Sequence, residues 1–205
     1  MHSILTALLN TLAGTDAAPP RARRSDLFAD SVVTDQFGRR HRFLADLVRD
    51  RAVVINTMFT VCRGSCPGTS ETLQRLREPL GRTFGSRVSI LSLSIDPATD
   101  SPDVLRAYAA DYGAGEPPRP GQPPWLFLSA GTTDTEALRR SLGFYDLDER
   151  VDRDITRHAA LLLFGNDRAN RWSTSPSQIR DGLIWEPLRR VLGDTPEERF
   201  GITHG

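Results

Sequence analysis

Cys62 and Cys66 are the only cysteines among the 205 residues, and three residues separate them. Two sulfurs that close can form a disulfide or reach the same metal ion. A gap of two residues is the usual thiol–disulfide redox spacing; the gap of three keeps both chemistries open. Free cysteine is also a common buried apolar filler. A pair with no other cysteine in the chain, set in the loop Arg63-Gly64-Ser65 and followed by Pro67, points instead to sulfur chemistry.

The flanking residues are those of a strand–loop–helix unit. Ala52-Val53-Val54-Ile55 is a short, β-branched apolar run, the pattern of a buried strand, and it predicts a strand over residues 52–59. A helical pattern runs from Thr69 to about Arg82, with Pro79 placed to kink or shorten it. Pro67 suits the first helical position, and it disfavours the α region for Cys66. Cys66 is therefore expected at the N-cap. There the helix dipole would lower its pKa below the free value of about 8.5. Arg63 would act in the same direction on Cys62, leaving two reactive, partly exposed thiols.

The rest of the chain alternates strands and helices. Val32-Val33 and Arg40 to Phe43 read as short strands around the turn Asp35–Gly38, and Phe43, Leu44, Leu47 and Val48 as one or two helical turns. Val88 to Ile95 is a second buried strand. Ser101-Pro102-Asp103 is a helix start, and that helix runs to about Tyr112. Residues 113–124 hold prolines at 117, 118, 120, 123 and 124 and form an extended surface loop. Trp125 to Leu128 is a third strand. Thr133 and Glu136 have capping-box spacing, and Gly143 ends that helix. Ala159 to Phe164 and Arg171 to Ser173 flank Gly165-Asn166-Asp167 as a hairpin. Ser175-Pro176-x-Gln178 opens a final helix that Gly182 and Pro187 should bend or break. This order implies an α/β fold of thioredoxin-like architecture. Its central sheet would be mixed but mostly parallel, with helices on both faces and a late β-hairpin.

Composition sets further bounds. Formal net charge is zero, which gives no electrostatic support to nucleic-acid binding. Two cysteines are too few for a disulfide scaffold. Residues 1–26 read as a tail, signal or linker, 27–195 as one domain and 196–205 as a C-terminal tail. Ile4 to Ala13 is apolar but too short to span a bilayer, and as a signal peptide it lacks a basic n-region.

The segment Asn56 to Pro67, with its Phe-Thr-x-Cys-x-x-x-Cys-Pro core, resembles the copper-binding loop of the Sco/SenC family. Ser92-Leu93-Ser94-Ile95-Asp96-Pro97 with Asp100 resembles that family's Ser-x-Asp-Pro turn, and Trp125-Leu126-Phe127-Leu128 its Trp-x-Phe-Leu strand. Asp154-x-x-x-His158 resembles the approach to its ligand histidine. The chain departs from the pattern at Arg63, where many members have proline, and at Arg157. The resemblance implies copper, as Cu(I) or Cu(II), held by Cys62, Cys66 and His158, because thiolates suit Cu(I) and imidazole extends the site to Cu(II). The other histidines, His2, His41 and His204, stand in tails or a charged strand. Asp96 and Asp154 are candidates for orienting the imidazole or a partner, though turn and cap roles suit them as well. The resemblance further implies a monomeric, extracytoplasmic metallochaperone. Its partner would be a copper-acceptor protein such as a cytochrome c oxidase subunit, with membrane attachment left open. The alternative is a thiol–disulfide oxidoreductase in which Cys62 and Cys66 are catalytic.

Overall fold

The computed structural model describes residues 22–155 and 160–194. These form one sheet of seven strands: β1 (Val32–Asp35), β2 (Arg40–Arg42), β3 (Ala52–Met58), β4 (Val88–Ser94), β5 (Trp125–Ser129), β6 (Leu161–Asn166) and β7 (Arg171–Pro176). Their spatial order is β2-β1-β5-β4-β3-β6-β7. The helices are α1 (Ser65–Phe84), α2 (Pro102–Asp111), α3 (Thr132–Leu142), the single turn α4 (Glu149–Asp152) and α5 (Asp181–Leu192). A π-helical segment spans Phe43–Val48.

The α/β, thioredoxin-like expectation holds, with one correction to the sheet. Only the centre is parallel, where β3 pairs with β4 and β4 with β5. The pairings β1–β2, β1–β5, β3–β6 and β6–β7 are all antiparallel. Parallel neighbours need a crossover helix between them, and only α1 and α2 with its following loop supply one. The short connections at both ends of the chain leave hairpin geometry as the alternative.

Burial follows the pleat. In β3, Val54 and Met58 enter one core with Leu73, Leu76, Leu80 and Phe84 of α1, Leu105 of α2, and Ile184 and Leu188 of α5. Val53 and Ile55 enter the other, with Phe43, Leu47 and Val48 of the π-helical segment and Leu138 and Leu142 of α3. Helices thus cover both faces. A strand buried on both sides must be apolar at successive positions, which is why 53–55 carries no alternation. Truncating Leu73 or Leu80, both fully buried, to alanine would cost about 2–5 kcal/mol.

Several boundaries differ from the sequence reading. Helix α1 begins at Ser65 and passes through Pro79 without ending. The buried stripe Leu73, Leu76, Leu80 and Phe84 lies on both sides of that proline, and its packing holds the helix across the missing N–H. Thr133 is not a cap, since α3 starts at Thr132 behind Gly131. The late hairpin turns over Asp167–Asn170, with strand continuing to Asn166. Ser175 and Pro176 end β7 instead of capping a helix, and α5 contains both Gly182 and Pro187. The N-cap at Ser101 is as expected, its side chain accepting from the Val104 amide. Gly143 closes α3 in the left-handed region (φ 86°).

Candidate metal centre

Strand β3 delivers the chain to the cysteine loop from the middle of the sheet. A buried polar relay fixes its end. The Trp125 indole N–H donates to Ser92 Oγ (2.9 Å), and the Ser92 hydroxyl donates to Asn56 Oδ1 (2.7 Å). Asn56 Nδ2 then donates to the Thr57 carbonyl (3.1 Å). One hydrogen-bonded line thus crosses β5, β4 and β3, and its members are all inside the fold. Buried polar groups must be satisfied in this way, so this line ties the start of β5 to β4 and β3 two residues before those strands end.

Asp100 fixes the next residues. It is 1% exposed and accepts from the Thr60 amide (3.2 Å), the Thr60 hydroxyl and the Ser94 hydroxyl (2.6 Å). The Ile95 amide donates to the Met58 carbonyl (3.0 Å), so the loops leaving β3 and β4 are tied twice. Behind them, the start of α1 is clamped by the segment after β7. Gln178 Nε2 donates to the Ser65 carbonyl (2.8 Å), and the Thr69 and Ser177 hydroxyls share a hydrogen bond (2.7 Å). A Cβ added at Gly68 would stand 2.9 Å from Gln178 Nε2, so glycine permits this closure.

The two cysteines lie within this frame, both as free thiols. The Cys62 amide donates to the Phe59 carbonyl (3.2 Å), closing a turn, and the Gly64 amide reaches Cys62 Sγ at 3.4 Å. Cys62 is half-buried, between exposed Val61 and exposed Arg63, whereas Cys66 is 3% exposed. The helix begins two residues earlier than the sequence suggests. Gly64 is the N-cap, and Cys66 and Pro67 occupy the second and third helical positions. That corrects both the N-cap placement of Cys66 and the expectation of an acidic, exposed thiol there. Burial, then a hydrogen bond shared with Cys62, push the Cys66 thiol up from 9.0 to about 12, while the Phe59 backbone pulls weakly the other way. Desolvation of a charge outweighs a half-strength helix dipole at this depth. The shared hydrogen bond means that the two sulfurs are in mutual reach, which suits one soft ion or one disulfide.

The remaining expected residues divide clearly. His158 lies outside the described residues, and no third His, Cys, Asp or Glu joins the sulfur pair among the described ones. Asp96 serves its turn: its carbonyl accepts from the Thr99 and Asp100 amides, and its own amide donates to Ser94 Oγ. The Asp154 amide closes the turn after α4 onto the Val151 carbonyl. The residue that the sequence reading left without a role is Asp100. Its only signal was an acidic side chain four residues after Asp96 in a turn rich in hydroxyls.

The sequence model described as SCO1/SenC matches residues 24–118. A Stutzerimonas stutzeri protein named for copper binding is 26% identical over 153 residues, covering 73% of this chain and 68% of that protein. Among solved structures, copper-bound ScoI of Bradyrhizobium japonicum superposes with a TM-score of 0.60 at 21% identity, covering 79% of this chain and 97% of that one. BsSco, described with a disulfide switch and as a member of the Sco family of cytochrome c oxidase assembly proteins, gives a TM-score of 0.58 at 18% identity. Coverage there is 82% of this chain and 95% of that one. No helix among the described residues is long and apolar enough to cross a membrane.

Proposed function

We propose that this chain, which matches the SCO1/SenC model over residues 24–118, is a copper-binding metallochaperone of that kind whose cargo is held by Cys62, Cys66 and His158. The observation that carries this reading is the sulfur pair itself: two free thiols in hydrogen-bonding reach of each other, on a loop pinned by Asp100 and by Gln178. Soft thiolates select Cu(I), and a nitrogen ligand extends the site to Cu(II). Both thiols surrender their protons when the ion binds. The copper-named relative and the copper-bound ScoI support the choice of metal. The recipient in this reading is a copper-acceptor protein such as a cytochrome c oxidase subunit, met by a monomer outside the cytoplasm.

The test is copper stoichiometry. The reduced protein is expected to take up one copper, and the disulfide form and the Cys62→Ser/Cys66→Ser variant almost none. Equal uptake by that variant defeats the reading.

A second reading has its own observation. Cys62 is half-buried and Cys66 almost fully buried, the asymmetry of an attacking and a resolving thiol. As an oxidoreductase, Cys62 would attack a target disulfide, and Cys66 would then displace the target thiol. The protein ends as the Cys62–Cys66 disulfide and the target as a dithiol, with two electrons transferred. Insulin reduction measured beside thioredoxin decides between the two. We expect poor turnover, and comparable rates would promote this second reading.

A further inference from the structure

On the side of α1 away from its cysteine end, helix and loop flank an open cavity of about 590 Å³ lined by Gln74, Arg77, Tyr112, Arg119 and Pro123, among others. We infer that this cavity is a binding site for a small organic anion, whose carboxylate or phosphate group is received by Arg77 and Arg119.

The decisive residue is Arg77. It is 5% exposed, yet no carboxylate pairs with it among the described residues. Its Nε donates to the Pro123 carbonyl (3.1 Å) and its Nη1 to the Gly113 carbonyl (2.7 Å). Its guanidinium carbon lies 5.9 Å from the centre of the Trp125 ring. Two carbonyls and an aromatic face orient the group without neutralising it, and Nη2 has no partner among the described residues. A buried cation without a counter-charge is costly. Burial first, and then the like charge of Arg119, lower the Arg77 pKa, as expected for a cation with no anion beside it.

Other charges at the cavity do not resolve this. Glu78, the acidic residue of its lining, is ion-paired to Arg82 one helical turn along and is mostly solvent-exposed. The Arg119 side chain forms no ion pair among the described residues; its backbone amide donates to Gln122 Oε1 (3.2 Å). Two unpaired guanidinium groups therefore line one concavity. A planar guanidinium with free N–H groups matches the forked oxygens of carboxylate and phosphate. The volume lies within the range of about 300–1,000 Å³ that small-molecule sites occupy. The apolar part of the lining, Tyr112 and Pro123, would take the ligand's carbon body. The wall is also firmly built. A Cβ on Gly81 would stand 3.2 Å from both the Gly121 carbonyl oxygen and Pro123 Cδ, so the proline-rich loop is seated closely on the helix.

The site is independent of the sulfur pair, and so is its test. Reduced, metal-free protein is titrated calorimetrically with inorganic phosphate and, separately, with succinate, at constant ionic strength set by chloride. Saturable binding of either supports the site; the anion preferred assigns the ligand to phosphate or carboxylate chemistry. Arg119→Glu, at an exposed position, should weaken that binding at least tenfold, and Arg77→Gln should abolish it. Arg40→Glu, on the distant strand β2, should leave it unchanged, and Cys62→Ser/Cys66→Ser should retain it. Since Arg77→Gln could disturb folding, Arg119→Glu is the deciding variant. No saturable binding below about 10 mM, or equal weakening by Arg119→Glu and Arg40→Glu, overturns the inference.

Discussion

The carboxylate of Asp100 accepts from both the backbone amide and the hydroxyl of Thr60, two residues before Cys62. The same carboxylate accepts from Ser94 Oγ at the end of β4. A buried acid thus holds the entrance of the cysteine loop to the neighbouring strand. Asp100→Ala would strand three donors in the interior, at about 1–3 kcal/mol each before relaxation or water entry. We expect a net loss of about 2–4 kcal/mol in urea unfolding, with weaker copper binding. Asp100→Asn keeps the shape and one acceptor oxygen and should lose less. Equal stability of wild type and Asp100→Ala would show that the contact does not hold the loop.

The two thiols should differ sharply in reactivity. Cys66 is buried and its pKa is raised to about 12, so it stays protonated through neutral and mildly alkaline pH. Only the thiolate is nucleophilic. Mass-resolved alkylation of the reduced protein at pH 8 should label Cys62 first, and Cys66 only slowly. Denaturant should bring Cys66 to the rate of a free thiol, whose pKa is about 8.5. Labelling of both at one rate in the folded protein would contradict the burial of Cys66.

Asp152 gives the pH dependence. Its side chain is 4% exposed and accepts from Arg139 Nη2 (2.8 Å), Arg140 Nη2 (2.9 Å) and the Asp146 amide (2.9 Å). The bond from Arg139, foremost, holds its carboxyl well below the ordinary 3.8. Because the folded pKa is depressed, the unfolded chain takes up the proton first. The stabilisation is therefore present above pH 3.8 and lost as pH falls below it. Asp152→Asn should cost about 1–2 kcal/mol at pH 7, less than a fully buried pair, since Arg140 is solvent-screened. The gap from wild type should close towards pH 2–3 in thermal melts. A gap independent of pH would mean that charge is not what the contact contributes.

His158→Ala should separate the two oxidation states of copper. Two thiolates alone can hold Cu(I), whereas Cu(II) gains from nitrogen. The expected loss is about 10–100-fold in Cu(II) affinity, with Cu(I) affinity nearly unchanged. Unaltered Cu(II) spectra in the variant would remove His158 from the ligand set.

Much of the fold was legible because local chemistry and burial agree. The apolar run 52–55, the Ser101-Pro102 start and Gly143 each specify an element through its own residues, and each element stands where the sequence puts it. The sheet's pairing was less legible. The antiparallel flanks depend on β1 reaching β5 and on β6 lying beside β3, contacts between residues far apart in the chain. Pro79 and Pro187 misled for a similar reason: each locally opposes a helix, but α1 and α5 are held by apolar stripes packed on the sheet.

At the site, the sequence by itself determined which atoms are available: two sulfurs at a fixed spacing, after a strand and before a helix. Their environments were decided by tertiary structure. Spacing and a nearby proline suggested two acidic, exposed thiols, yet α1 starts at Ser65 and carries Cys66 into the core beside Phe59 and Met58. Its desolvation there is a property of neighbours from other elements, which no local pattern encodes. Asp100 became an anchor only because β3 and β4 end side by side. Arg77 likewise reads as one more surface arginine until Pro123, Gly113 and Trp125 close around it. A residue's type fixes its chemistry, but burial and charge balance are set by what folding brings against it.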